Sequence, residues 1–276
     1  MQKIEFKVNA ELELTKAIIN ELPFLSRHDV KKILNNKDVK VNNVRVKENV
    51  LLKSGDNIVV FYQEKTNQEW FTLVYQDDNI IIVNKRAGIE VVSETERDLL
   101  SFLKKDYVTI KPVHRIDRNT EGLVVFALNE QSEKELLQAF KTRNGIIKKY
   151  ALLVDGRVDI TKIKRTVYLK KMENLSKVWI SEVKTSGYDP IITEFDVVEY
   201  RGDKTLMEAN LITGKTHQIR AHIAYYGYPI VGDNKYGKDK ENKMCLTANY
   251  IAFNFAKKSC LGYLKDKTFE IIPSWL

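Results

Sequence analysis

The chain has 276 residues, 43% of them hydrophobic, which suffices for one large core and a smaller one and argues against a mainly disordered protein. The formal net charge of +8 favours polyanionic partners such as nucleic acids over acidic proteins or neutral metabolites. Cys245 and Cys260 are the only cysteines, too few for a disulfide scaffold, so we expect a reducing compartment. The first residues alternate polar and apolar side chains. We therefore expect neither a signal peptide nor a membrane span, and a cytoplasmic protein.

The N-terminal elements are short. After a first strand, the pattern predicts a helix over 14–22, a second helix capped by Ser26, and strands over 39–41, 44–46 and 58–62. The pair Asn42-Asn43 predicts a hairpin turn. The polar stretch that follows has no apolar periodicity. We predict a domain over 1–62, a linker over 63–70 and a second domain over 71–276.

The second domain is richer in strands than in helices. Its pattern predicts strands over 72–84 with a turn at 77–79, a loop over 85–88, a helix over 131–140, strands around 150–154, 192–200 and 206–212, and a helix over 217–226 ended by Gly227. The links have hairpin length. The sequence therefore predicts an α+β fold with a mixed, largely antiparallel sheet.

A single carboxylate lies between two cations in the segment KPVHRIDRNTEGLVVFAL, residues 111–128. Asp117 follows Arg115 by two residues and precedes Arg118. Nearby positive charge keeps a partly buried acid ionised, and such an acid can act as a nucleophile or a base. An Asp between arginines is more often a surface ion pair, so the spacing alone leaves both interpretations open.

The segment resembles the HRLDRxTSGLLL signature of the RluA family of pseudouridine synthases, with Glu121 in place of the usual Ser. Residues 83–88, VNKRAG, resemble the family's VNKPAG loop, with Arg86 where Pro is usual. Residues 148–150 are similar to its KxY element, residues 213–222 to its TGRTHQIRVH element, and residues 228–233 to its PxxGD form. Thr247 stands where the family often has His. The resemblance covers residues 12–256.

The resemblance implies an enzyme that detaches a uracil in RNA, rotates it and rejoins it through a ring carbon, without a cofactor. It implies that Asp117 is the catalytic aspartate, which attacks the base, attacks the sugar or assists glycal formation. Tyr150 matches the tyrosine that stacks on the uracil and is a candidate for the final deprotonation. Arg220 matches the arginine that pairs with the aspartate.

The resemblance also implies RNA contacts in the catalytic domain. Arg115 resembles the arginine that fills the place of the flipped base, and we assign Arg118 and His217 to RNA binding as well. A metal site at His217 and His222 is disfavoured, because five-residue spacing does not place two ligands on one helical face. We expect no metal.

Residues 12–62 resemble the α-L RNA-binding domain of a small-subunit ribosomal protein. The resemblance implies RNA binding by this part of the chain, although a charged helix face is also typical of plain solvation. Arg27, Lys31 and Lys32 are the candidate phosphate contacts. In the larger domain, the basic stretch 162–171 predicts a solvent-facing hairpin, with or without phosphate contacts.

Three functions remain in competition. The favoured one is an RNA-uridine isomerase acting on ribosomal RNA, with transfer RNA as the alternative target, working as a monomer without an obligate protein partner. The second is a non-catalytic RNA-binding or ribosome-assembly protein on the same fold. The third is a metal-dependent RNA hydrolase.

Overall fold

A computed structural model describes residues 2–22, 25, 27–62, 70–94, 98–142, 145–172, 176–237 and 243–276, without the side chains of residues 27 and 28. The chain divides into two compact units, Met1–Glu69 and Trp70–Leu276. The predicted linker, 63–70, lies almost entirely outside the described residues, as does the predicted cap Ser26. In the described part of the chain, no helix has the length and apolar character needed to cross a bilayer.

The N-terminal unit combines short strands with two helices. Its elements are β1 (Gln2–Lys7), β2 (Leu12–Glu13), α1 (Leu14–Glu21), α2 (Arg27–Asn35), β3 (Val39–Val41), β4 (Val44–Val46), β5 (Leu51–Leu52) and β6 (Asn57–Tyr62). Four of the strands form a sheet in the order β1-β6-β3-β4. Asn42 and Asn43 join β3 to β4 with φ values of 50° and 69°, the left-handed conformation that asparagine tolerates. The predicted hairpin is confirmed.

One face of each helix packs into the core of this unit. Leu14, Ala17 and Ile18 of α1 are buried at helical spacing, and Val30 and Leu34 of α2 pack in the same cluster. This leaves the other helix faces to the charged residues.

The described residues of the larger unit form three α-helices and eleven strands, and the strands belong to one sheet. Its elements are β7 (Phe71–Gln76), β8 (Ile80–Lys85), α3 (Leu99–Leu103), β9 (Lys111–Pro112), β10 (Glu121–Ala127), α4 (Glu130–Thr142), β11 (Ile146–Asp155), β12 (Thr166–Met172), β13 (Lys177–Ser181), β14 (Asp189–Arg201), β15 (Lys204–Leu211), α5 (Gln218–Tyr225), β16 (Leu246–Phe253) and β17 (Thr268–Glu270).

The sheet order is β13-β12-β14-β15-β11-β16-β10-β8-β7, with β17 beside β16 and β9 beside β10. The neighbours pair antiparallel except β10 and β16, which are parallel through Glu121 opposite Thr247 and Gly122 opposite Ala248. The predicted mixed, largely antiparallel sheet is therefore confirmed.

Strand β10 is buried on both faces and separates two hydrophobic clusters. Val124 and Phe126 point into the cluster that also holds Tyr150 and Ile219, whereas Leu123 and Val125 point into the cluster covered by α4. This alternation follows from the two-residue period of a strand. Because both faces are covered, β10 holds rigidly the loop that precedes it.

Several elements were not predicted from the sequence, namely helix α3 and strands β16 and β17. Lys85, predicted to lie in a loop, ends β8 and is fully buried. The hairpin expected within the basic stretch 162–171 is formed by β12 and β13. Its first strand, β12, begins only at residue 166.

Candidate active site

Asp117 lies in the loop that leads into β10. The Thr120 backbone N–H donates to the Asp117 carbonyl oxygen at 3.1 Å, which closes a turn just before the strand begins. The Asp117 side chain is 22% exposed. It lines a cavity of about 390 Å³ together with Arg115, Tyr150, Arg220 and other residues of the larger unit. The residues that the sequence analysis named as catalytic therefore meet at one cavity.

Arg220 connects Asp117 to a second carboxylate. From α5, its Nε and Nη2 donate to Asp233 Oδ2 and Oδ1 at 2.7 and 2.8 Å, and its Nη1 donates to Asp117 Oδ2 at 3.1 Å. The fork of the guanidinium matches the two oxygens of one carboxylate and leaves Nη1 for the other. Arg220 therefore holds Asp117 from a position that Asp233 fixes.

The Arg220–Asp233 pair is an ion pair at neutral pH. Burial opposes the charge on Arg220, but the hydrogen bonds and charge of Asp233, together with Asp117, raise the arginine pKa above its ordinary value. Burial likewise favours neutral Asp233, yet Arg220 holds the pKa of that carboxyl below its usual range. Asp233 belongs to the PxxGD motif of residues 228–233, but no role was predicted for it. A chemical argument could have indicated a role for Asp233, since a buried arginine needs hydrogen-bond acceptors for its N–H donors.

Tyr150 lies on β11 and is only 5% exposed. The register between β11 and β16 shifts between Lys149 and Ala151, where two residues of β16 lie opposite Tyr150. Such bulges redirect side chains and are frequent beside active sites. The neighbouring Lys149 is directed to Glu208 at 2.8 Å. Tyr150 thus faces the cavity at an irregularity in the pairing of β11 with β16.

Lys85 joins the 85–88 loop to the loop that carries Asp117. Its Nζ donates to the carbonyl oxygens of Arg86, Ile89 and Arg118 at 2.9, 2.9 and 3.1 Å. Burial lowers the pKa of Lys85 to about 7, and the charges of Asp117 and Glu121 oppose that change. Only an ammonium group has three N–H bonds to donate, so these contacts require the charged form.

The described residues offer no obvious place for a metal. In the ranges that the structure describes, no three His, Cys, Asp or Glu side chains converge as metal ligands do. His222 Nε2 lies 2.9 Å from the Lys164 carbonyl oxygen and His217 faces Asp117, so the two histidines serve different neighbours.

A family model described as RNA pseudouridylate synthase matches residues 79–225, a span that includes Asp117, Tyr150 and Arg220. A relative from Mycoplasma capricolum, described as an uncharacterized RNA pseudouridine synthase, is 34% identical over 275 residues, or 89% of this chain and 88% of the relative. This chain belongs to the RNA pseudouridylate synthase family.

Other relatives of the synthase bear more specific names. Ribosomal large subunit pseudouridine synthase C of Rickettsia conorii is 29% identical and covers 90% of this chain and 88% of its own length. Dual-specificity RNA pseudouridine synthase RluA of Escherichia coli is 33% identical and covers 64% of this chain and 82% of its own length. The resemblance to the RluA family is confirmed, and the chain is an isomerase that converts uridine in RNA to pseudouridine. The metal-dependent hydrolase and the non-catalytic alternatives are thereby set aside.

Solved structures show the same fold. Human RNA Pseudouridylate Synthase Domain Containing 1 aligns with a TM-score of 0.63 at 22% identity, over 78% of this chain and 88% of that one. Human RNA Pseudouridylate Synthase Domain Containing 4 aligns with a TM-score of 0.56 at 20% identity, over 73% and 88%.

The departures of the synthase from the family signature have structural explanations. The Arg86 backbone N–H donates to the Trp70 carbonyl oxygen at 2.8 Å, a bond that the usual proline has no N–H to make. Glu121 and Thr247, which both depart from the signature, contact each other, since the Thr247 hydroxyl donates to Glu121 Oε1 at 2.9 Å.

Glu121 is the centre of a larger cluster. Besides Thr247, its carboxylate accepts from Lys243 Nζ at 2.6 Å and from the Ser274 backbone N–H at 2.9 Å, and the Trp275 indole N–H donates to Thr247 Oγ1 at 2.8 Å. Burial favours the neutral acid, but these donors hold the pKa of Glu121 below its ordinary value. The cluster ties residues 274–275 to the strand that follows the Asp117 turn.

Glu121→Gln should lower the free energy of unfolding by about 2 to 3 kcal/mol, because the carboxamide loses the charge that pairs with Lys243 and turns an N–H₂ toward either Lys243 Nζ or the Ser274 backbone N–H, which can only donate. Urea unfolding monitored by circular dichroism measures the change. Glu199→Gln, at an exposed carboxylate that pairs with Arg201, is the control and should change stability by less than about 1 kcal/mol. Equal stabilities for both variants would contradict the role of the cluster.

The predicted RNA-binding residues of the larger unit have different surroundings. Arg115 is exposed and lines the cavity. Arg118 is exposed but its Nε donates to the Gly88 carbonyl oxygen at 2.9 Å, so it braces the 85–88 loop. The arginine that pairs with Asp117 is Arg220.

The basic stretch is largely paired within the protein. Lys162 pairs with Asp159 at 3.1 Å and Arg165 with Glu194 at 2.6 Å, and Lys164 pairs with Glu182. Lys170 and Lys171 are exposed on β12. Solvated ion pairs therefore account for the first three cations of the stretch.

Proposed function

We propose that the synthase modifies large-subunit ribosomal RNA in the cytoplasm. Support comes from the relative named ribosomal large subunit pseudouridine synthase C, which aligns over 90% of this chain. Transfer RNA remains the alternative target. We further propose that the synthase acts as a monomer, without a cofactor and without an obligate protein partner.

We propose that Asp117 is the catalytic carboxylate. The observation that carries this is the 3.1 Å contact between Asp117 Oδ2 and Arg220 Nη1 in the wall of a cavity that Tyr150 also lines. Among the described side chains, Asp117 Oδ2 accepts the hydrogen bond from Arg220, and the longer 3.8 Å approach of His217 Nε2 is to the same oxygen. Oδ1 is left to face a substrate.

The reaction exchanges one glycosidic bond for another. The N1–C1′ bond of uridine breaks, the uracil rotates, a C5–C1′ bond forms, C5 loses its proton and N1 gains one. An ionised Asp117 can attack the base or the sugar, or assist glycal formation. Tyr150 stacks on the uracil and serves as the candidate acceptor for the C5 proton.

The uridine leaves its stack before it reaches Asp117. This costs a few kcal/mol, which contacts in the pocket repay. Arg115 is exposed at the cavity and carries a planar guanidinium that stacks on bases and binds phosphates. We assign to it the place vacated by the base.

Pseudouridine mapping of total RNA from cells with and without the gene tests the target. One or a few uridines of large-subunit ribosomal RNA should lose the modification and regain it on complementation. Loss confined to transfer RNA would replace the proposed target by the alternative one.

We propose that the N-terminal unit is an α-L RNA-binding domain. Lys31 and Lys32 of α2 are exposed, and Lys31 lines a groove of about 690 Å³ with Lys16 and Lys47. The side chain of Arg27, the third predicted contact, lies outside the described residues. A groove that gathers several lysines suits the phosphates of an RNA strand.

A protein that begins at residue 66 should fold, since the larger unit has its own core, and should bind RNA more weakly. Each lost phosphate contact should reduce the slope of log affinity against log salt by about 0.7 to 0.9. Salt titrations of both proteins on one RNA measure the difference, with Lys31→Gln in the full chain as a point control. Identical slopes would withdraw the RNA-binding role of residues 12–62.

A further inference from the structure

His217 has an unusual backbone at the entrance to α5. Its φ is 55°, in the left-handed region that non-glycine residues rarely adopt, and its side chain is only 11% exposed. Such conformations cost about 1 to 3 kcal/mol and concentrate at functional sites. The conformation places Nε2 at 3.8 Å from Asp117 Oδ2 and Nδ1 at 3.1 Å from the Tyr236 hydroxyl oxygen.

The hydrogen bonds of Tyr236 select one tautomer of His217. The Tyr236 hydroxyl oxygen already accepts the Val178 backbone N–H at 2.9 Å. Its own proton therefore needs an acceptor, and an unpaired donor in a half-buried place costs about 1 to 3 kcal/mol. Among the described residues, His217 Nδ1 is the acceptor in reach. If Nδ1 accepts, a neutral imidazole carries its proton on Nε2, the nitrogen that faces Asp117.

The surroundings of His217 keep it neutral. Burial lowers the pKa of His217 to about 4; Asp117 and Asp233 oppose this, while Arg220 and Lys235 add to it. Tyr236 itself is fixed by the Arg220 guanidinium, which lies 5.4 Å from the centre of its ring. Arg220 therefore contacts both neighbours of the imidazole, Tyr236 and Asp117.

We propose that Tyr236 and His217 are positioning residues for Asp117: Tyr236 fixes the Nε2–H tautomer, and that N–H is directed at Asp117 Oδ2. With Arg220 Nη1 on the same oxygen, the carboxylate is oriented with Oδ1 toward the substrate. The 3.8 Å separation is longer than a hydrogen bond, and the inference requires it to shorten in the substrate complex, as catalytic contacts commonly do. The inference rests on the proposed role of Asp117. It gives His217 a task other than phosphate binding, which its burial disfavours.

Long-range ¹H–¹⁵N NMR of the imidazoles in the full-length protein reads the tautomer directly. The chain has 4 histidines, and His217→Asn assigns the signal. We expect neutral Nε2–H at pH 7 in the wild type and loss of that preference in Tyr236→Phe. Wild-type His217 as the Nδ1–H form or as imidazolium would overturn the inference.

Kinetics test whether the tautomer matters. Tyr236→Phe and His217→Asn should each lower kcat by about 3- to 10-fold, the equivalent of one modest hydrogen bond, with KM unchanged. Asparagine is chosen because it tolerates the left-handed backbone. The double variant should lose no more than His217→Asn alone, since both changes remove one interaction. Fully additive losses, or unchanged kcat in either variant, would overturn the proposal.

Tyr226→Phe is the matched control. The Tyr226 hydroxyl also accepts a backbone N–H, that of Lys164 at 3.2 Å, but does not contact His217. Its kcat should equal that of the wild type. If Asp117→Asn were fully active, the proposed role of Asp117 would fail. If Asp117→Asn were inactive while the His217 and Tyr236 variants kept full turnover, the present inference alone would fail.

Discussion

Asp117→Asn should abolish isomerisation and leave RNA binding nearly intact. Asparagine has the same shape and keeps an oxygen that can accept from Arg220, so the cavity should retain its geometry. What is lost is the negative charge that attacks or assists, while phosphate contacts carry most of the affinity for RNA. Tritium release from RNA labelled at C5 of uridine measures turnover, and a filter-binding titration measures affinity.

Asp159→Asn provides the comparison for this variant. Asp159 is an exposed carboxylate that pairs with Lys162 at 3.1 Å and does not line the cavity, so its substitution should leave release unchanged. Normal tritium release from Asp117→Asn would remove Asp117 from the mechanism. A parallel loss of RNA binding would instead assign Asp117 to substrate contacts.

Local patterns predicted the elements whose stabilising contacts are close in sequence. The α1 helix and the β3–β4 hairpin follow from apolar spacing and from two asparagines that accept positive φ. The helix boundaries differ by one or two residues, as for the helix expected over 131–140 and found as α4, Glu130–Thr142. Helix α3 was missed because five residues are too few to show a period.

The order of the large sheet could not be predicted from such patterns. Strand β10 pairs with β16 through Glu121 and Thr247, far apart along the chain. Gly122 makes this approach possible, because a Cβ there would lie 2.3 Å from the Ala248 carbonyl oxygen. The requirement for glycine becomes visible only once the two strands are adjacent.

The same limit applies to the site. The motif around Asp117 and the arginine of the TGKTHQIRAH segment follow from resemblance, and the structure brings them to 3.1 Å. Asp233, seen only as part of a motif, and Tyr236 received no role from the sequence, because their roles come from contacts with Arg220 and His217. Glu121 and Thr247 each depart from the family signature, and the structure explains both departures because the two side chains contact each other.

Arg220→Ala should both destabilise the synthase and reduce turnover strongly. Asp233 is 1% exposed, and without Arg220 it becomes a buried charge without its partner, at a cost of about 3 to 5 kcal/mol. Asp233 therefore accounts for most of this energetic cost. Asp117 contributes less, because its side chain is 22% exposed to solvent. Thermal unfolding and single-turnover tritium release measure the two effects.

Arg220→Lys separates charge from geometry. Lysine supplies a positive charge but cannot donate in a fork to both oxygens of Asp233 and also reach Asp117, so we expect stability between those of Arg220→Ala and the wild type, with turnover still low. Arg165→Ala, at an exposed arginine that pairs with Glu194 at 2.6 Å, should cost less than about 1 kcal/mol and leave turnover unchanged. Wild-type melting temperature and activity in Arg220→Ala would show that the contacts of Arg220 with Asp233 and Asp117 do not hold the site together.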